Sequence, residues 1–131
     1  MRTSHIADVL HDGAWAPLRA RMGTRAYAPG DVIIQHGALE PDFHIIEEGL
    51  ATVSARGLRG ERRELGTLGA GESIGEMSLL TGEPASADVI ASTSVTTRCI
   101  SRAALAEAGD DRSRLIEVLA TMVANRLRHA N

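Results

Sequence analysis

With 131 residues, the chain is long enough for one domain with its own core and too short for a sensor domain joined to a full second module. Hydrophobic residues at 44% and charged residues at 24% are ordinary for a folded soluble protein, so global disorder is not expected. The net charge of −3 and an aromatic set confined to Trp15, Tyr27 and Phe43 argue against a phosphate-backbone-binding surface or a base-stacking platform, and so against nucleic acid as a direct partner.

Residues 6–21 mix apolar and polar positions at helical spacing, interrupted by Gly13 and Pro17, which predicts one or two short helices. From Asp31 onward, apolar and β-branched runs recur between turn residues, at 32–35, 43–48, 51–56, 63–68, 87–91 and 96–100. Short strands at that spacing predict a sandwich, barrel or roll. Pro29-Gly30-Asp31 and Gly49 mark two of the breaks, and residues 57–60 read as a hairpin tip. Arg56, Arg59, Arg62 and Arg63 surround that tip with Glu61 and Glu64 among them, the pattern of a solvated face. After Ile100 the period changes toward 3.6. Ser101 is placed to cap a helix over 102–108, Gly109 to stop it, and Asp110 or Asp111 to cap a longer helix through Arg128. The apolar stripe of that helix, Leu115, Ile116, Val118, Leu119, Met122, Val123 and Leu127, is wider than one seam and asks for two apolar contacts. One is the β domain; a ligand cavity that the helix covers as a lid, or a second copy of the helix giving a homodimer, is a candidate for the other, and a stripe buried wholly within one chain is the alternative.

Residues 71–89 read GESIGEMSLLTGEPASADV. Gly75 permits a bend at which backbone N–H groups converge, and the turn after it can direct its N-terminus at an anion. Taken alone, a Gly-Glu pair before a short helix is a weak signal, because any strand-to-helix turn can use it. The stretch resembles the phosphate-binding cassette of the cyclic nucleotide-binding domain family, with Gly75, Glu76 and Pro84 in place and Ala85 where the family has an arginine. The resemblance extends to residues 27–37, 42–49 and 65–72, and the last two helices are similar to the family's hinge and lid.

This resemblance implies a mainly β fold with flanking helices: a jelly-roll-like double-stranded β-helix over residues 25–100, an N-terminal helical segment over 1–24 and C-terminal helices over 101–131. It implies a single regulatory domain, not an enzyme, standing alone within these residues. It also implies that Glu76 accepts a hydrogen bond from a ribose hydroxyl, that Gly75, Glu76 and Met77 offer backbone contacts, and that Ser86 places a hydroxyl at the phosphate. The ligand implied is cAMP, cGMP or a related phosphate. Alanine at position 85 cannot grip a phosphate oxygen, and a lost charge-assisted hydrogen bond of about 1.5–3 kcal/mol lowers affinity by about 10- to 150-fold. Arg98 and the hairpin arginines Arg56, Arg59, Arg62 and Arg63 are the candidate replacements. The alternative is a degenerate fold that binds no nucleotide and acts as a constitutive interaction or dimerisation module, with Glu76 merely capping the cassette backbone.

Other chemistry has less in its favour. His36 and His44 with Glu47 or Glu48 lack the spacing of a β-roll metal site, and His5, His11 and His129 lie in terminal segments expected to face solvent. Cys99 has no partner for a disulfide and reads as a small core residue. Neither a signal peptide nor an apolar run near the roughly 20 residues of a membrane span is present, which predicts a cytoplasmic location.

Overall fold

A computed structural model describes residues 6–129. The strands alternate as their sequences require. In β3 (Phe43–Glu48), Phe43 and Ile45 pack with the helices, whereas Ile46 points into the roll. Eight strands form two antiparallel sheets of four, ordered β1-β8-β3-β6 and β2-β7-β4-β5. The remaining strands are β1 (Gly23–Tyr27), β2 (Val32–Ile34), β4 (Ala51–Arg56), β5 (Arg62–Leu68), β6 (Ser73–Ile74), β7 (Asp88–Ala91) and β8 (Val95–Ile100). In the first sheet β8 lies between β1 and β3, with Cys99 opposite both Gly23 and His44. In the second, β4 pairs with β5 and β7, placing Val53 beside Val89 and Ser54 beside Asp88.

Two apolar clusters hold these layers. The first joins the β3–β8 face, through Phe43, Ile45 and Ile100, to the helices α1 (Ile6–Leu10), α2 (Ala16–Ala20), α3 (Glu76–Thr81), α4 (Arg102–Ala106) and α5 (Asp110–His129). The second fills the roll with Ile34, Ile46, Ala51, Ile74, Ala85, Val89, Ala91 and Val95. Ser101 caps α4 as expected, its hydroxyl accepting from the Ala104 N–H at 3.1 Å. Helix α5 buries Leu115 and Leu119 completely, worth about 1.5–3 kcal/mol each, and the Arg114 guanidinium lies 4.5 Å above the Trp15 ring. Leu127 is 68% exposed, so the wide stripe is not fully covered within one chain.

Three boundaries differ from expectation. The N-terminal helical segment ends before Gly23, because residues 23–27 add β1 to the free side of β8. The two-residue β6 interrupts the cassette, opposite His44 and Ile45. Helix α4 stops at Ala106, and residues 107–109 turn the chain into α5.

Candidate functional site

Strand β6 delivers the chain to Gly75, whose φ of +91° lies in the left-handed region. A Cβ there would stand 2.7 Å from the Asp42 carbonyl oxygen, closer than real Cβ atoms approach backbone. Only glycine fits this bend. Helix α3 then runs for six residues to Gly82, whose N–H donates to the Ser78 carbonyl. Gly75→Ala is expected to destabilise the domain by about 1–3 kcal/mol and to loosen the cassette; urea unfolding of the two forms checks it.

The turn closes one side of a cavity of about 200 Å³. All five residues singled out by sequence, Gly75, Glu76, Met77, Ala85 and Ser86, line it. Ile34, Val53, Leu68, Ile74 and Val89 supply apolar walls, and Ser73 and Ser78 further hydroxyls. Ala85 is clamped by its backbone: its N–H donates to the Ala38 carbonyl at 2.9 Å and its carbonyl accepts from Gly37 at 2.7 Å. Its side chain is buried at the cavity wall.

Glu76 is the charged residue of this cavity. Burial pushes its carboxyl above the usual range, opposed by its own backbone N–H, by the Arg126 guanidinium and by the Ser73 hydroxyl. Arg126 belongs to α5 and stands 3.8 Å from the Glu76 carboxylate. Sequence reasoning missed this arginine because fifty residues separate it from the cassette and its spacing within α5 is ordinary; the signal available was only a basic residue in a helix identified as the lid.

Three of the five cations proposed from sequence are engaged elsewhere. Arg56 and Arg62 reach the carboxylate of Asp88, at 3.0 and 3.7 Å, instead of forming a purely solvated face. Asp88 is almost fully buried and also accepts from the His36 N–H at 2.7 Å, and these partners hold its carboxyl below the usual range. The hairpin is thereby tied to β7 where the cassette stretch ends. Asp88→Ala would leave that N–H without its acceptor and free two like charges, an expected loss of about 1–3 kcal/mol readable by thermal or urea unfolding. Arg98 pairs with Glu47 at 3.5 Å and lines a different cavity, of about 670 Å³, between β3, β8 and the N-terminal helices. Arg59 and Arg63 are exposed near the hairpin tip.

The histidines do not converge. His36 and His11 are exposed, whereas His44 is buried and shares a hydrogen bond of 3.0 Å with the Thr97 hydroxyl. His5 and the side chain of His129 lie outside the described residues. Cys99 is buried, and burial pushes its thiol up.

The family profile described as cyclic nucleotide-binding domain matches residues 24–112, the roll and the start of α5. The chain belongs to this family. Within the cyclic nucleotide-binding domain family it is similar to the cAMP-dependent protein kinase regulatory subunit of Blastocladiella emersonii, 41% identical over 59 residues that make up 45% of this chain and 15% of that protein. It thus spans a small part of such relatives. Thermus thermophilus catabolite activator protein superposes with a TM-score of 0.76 at 28% identity, over 93% of this chain and 59% of that one. The regulatory subunit of a cAMP-independent protein kinase A from Trypanosoma brucei does so with 0.66 at 26% identity, over 77% and 37%. A triple mutant of that subunit, solved with cAMP in its A site, matches over 83% and 37% with a TM-score of 0.65 at 26% identity; one of its substitutions turns threonine into arginine. The cyclic nucleotide-binding domain is regulatory, not catalytic, and among the described residues no helix is long and apolar enough to cross a membrane.

Proposed function

We propose that the cassette cavity senses a cyclic nucleotide or related phosphate ligand, with weak or atypical affinity, and that α5 carries the signal. The observation behind this reading is that Gly75, Glu76, Met77, Ala85 and Ser86 line one cavity whose carboxylate is linked by Arg126 to the last turns of α5. Weak affinity follows from alanine at position 85, since an anion desolvated without a strong donor loses about 1.5–3 kcal/mol or more. The cavity also lies below the roughly 300 Å³ at which small-molecule sites begin, so a nucleotide would project from its open side or widen it. In the Trypanosoma neighbour, described as cAMP-independent, the form solved with cAMP carries three substitutions, one of which introduces an arginine. Calorimetric titration of this chain with cAMP and cGMP tests the reading: weak saturable heat is expected, and silence with both ligands rejects the cyclic nucleotide as its ligand.

A second reading is favoured by exposed apolar side chains, Leu127 on α5 and Met77 on α3. In it the domain binds no nucleotide and serves as a constitutive contact, through α5, with a second copy of the chain. Light scattering decides that point, because a monomer mass at high concentration rules the homodimer out.

A further inference from the structure

The cassette has alanine at the arginine position, yet one guanidinium, that of Arg126, stands 3.8 Å from the carboxylate of the site. All fourteen basic residues of the chain other than histidine are arginine. Of those around the roll, Arg25 pairs with Asp42 at 3.1 Å, Arg56 and Arg62 with Asp88, and Arg98 with Glu47. Arg126 alone among the described ion pairs meets a residue that lines the cassette cavity.

We infer that Arg126 is the phosphate-binding cation of this site, delivered by helix α5 in place of a cassette arginine. The inference rests on the reading of the cavity as a site for a cyclic nucleotide. Its geometry favours exchange. At 3.8 Å the Arg126–Glu76 pair is longer than a hydrogen bond, and Arg126 is 49% exposed, so the pair is weak and costs little to break. A ribose hydroxyl donating to Glu76 takes over the carboxylate, and the guanidinium it displaces meets the anion of the same ligand. Glu76 then faces the ribose and Arg126 the phosphodiester, a partial replacement for a cassette arginine because the guanidinium is half exposed and water screens it.

The source of the cation has a consequence for signalling. Leu115 and Leu119 pin the first half of α5 in the core, whereas Arg126 lies seven residues beyond Leu119, about 10 Å along the axis, beside the exposed Leu127. Moving Arg126 from Glu76 to a phosphate therefore acts on the part of the helix that core packing does not hold. An uncharged nucleoside would satisfy Glu76 without recruiting Arg126.

Fluorescence anisotropy with a fluorescent cAMP analogue tests this on the full chain in four forms: native, Arg126→Gln, Ala85→Arg, and both substitutions together. The expected result is that Arg126→Gln weakens the native chain by about 10-fold or more but the Ala85→Arg form by less than about 3-fold, because the introduced guanidinium serves the phosphate first. Tight binding by the double variant also shows that Arg126→Gln folds. The inference alone is overturned if the native chain binds and Arg126→Gln leaves or raises its affinity, a rise marking Arg126 as a competitor for Glu76, or if the loss is equal in both backgrounds. If the native chain binds no probe while Ala85→Arg does, the sensor reading and the inference fail together.

Discussion

Ala85→Arg is expected to raise affinity for cAMP by about 10- to 150-fold over the native chain, read by calorimetry. The position is suited to the change. Its backbone N–H and carbonyl are held by Ala38 and Gly37, so a longer side chain need not disturb the pairing, and its Cβ already lies on the cavity wall next to Ser86. The same substitution carries a cost without ligand, since the new guanidinium must leave water beside Ile34, Ile74 and Val89. The variant should therefore melt below the native chain when empty and recover when cAMP is added. Ligand at about 100 times its Kd contributes about 2.7 kcal/mol. An Ala85→Arg form that folds and binds neither cAMP nor cGMP would mean that the cavity's shape, and not only its charge, has departed from the family.

Acidification from pH 6.5 toward pH 4 should remove about 3 kcal/mol of stability through one buried side chain, His44. Burial lowers its pKa from 6.5 to about 4; the neighbouring Asp42 opposes the shift and Arg25 adds to it. Above pH 6.5 the ring is neutral in both folded and unfolded chains, so there is no penalty. Between those values the unfolded chain takes up a proton that the folded chain refuses, and stability falls as pH falls. The environment explains the refusal. His44 is 1% exposed, shares its Nδ1 with Thr97, and meets the Tyr27 ring edge-on at 6.3 Å between centroids. Glu76 works in the opposite direction, because its raised pKa lets the folded chain take up a proton before the unfolded chain does. Urea unfolding of the native and His44→Gln chains at half-unit steps from about pH 7 to about pH 4.5 separates the histidine from Glu76, and His44→Gln should flatten the slope in that window. An unchanged slope in His44→Gln would place the acid sensitivity elsewhere.

How much of this was legible in the sequence differs by kind of interaction. Local backbone demands were visible: Gly75 bends the chain at the start of α3, and Ser101 caps α4. The five cavity residues were legible because the cassette is one continuous stretch that folds onto itself. Strand β1 was hidden because Gly-Thr-Arg-Ala-Tyr is largely exposed and lacks apolar alternation, its strand character coming from the edge of β8. Strand β6 is two residues long, below the reach of any periodicity. The charge pairings were not legible at all. Arg56 and Asp88, or Arg126 and Glu76, are matched by the fold across more than thirty intervening residues, and nothing in either partner's neighbourhood names the other.

The position of β8 sets when the domain can exist during synthesis. Strand β1 has β8 as its sole neighbour in the sheet, and without β8 the strand β3 keeps only the two residues of β6. A nascent chain that has not yet released residues 95–100 thus carries its first strand unpaired, and two-stranded remnants of that size do not hold in water. Pairing Gly23 with Cys99 closes a loop of most of the roll, the kind of non-local contact that lowers folding rates. Messages truncated before that strand would yield fragments with Phe43, Ile45 and Ile46 on an open edge, substrates for aggregation and for the cell's proteases.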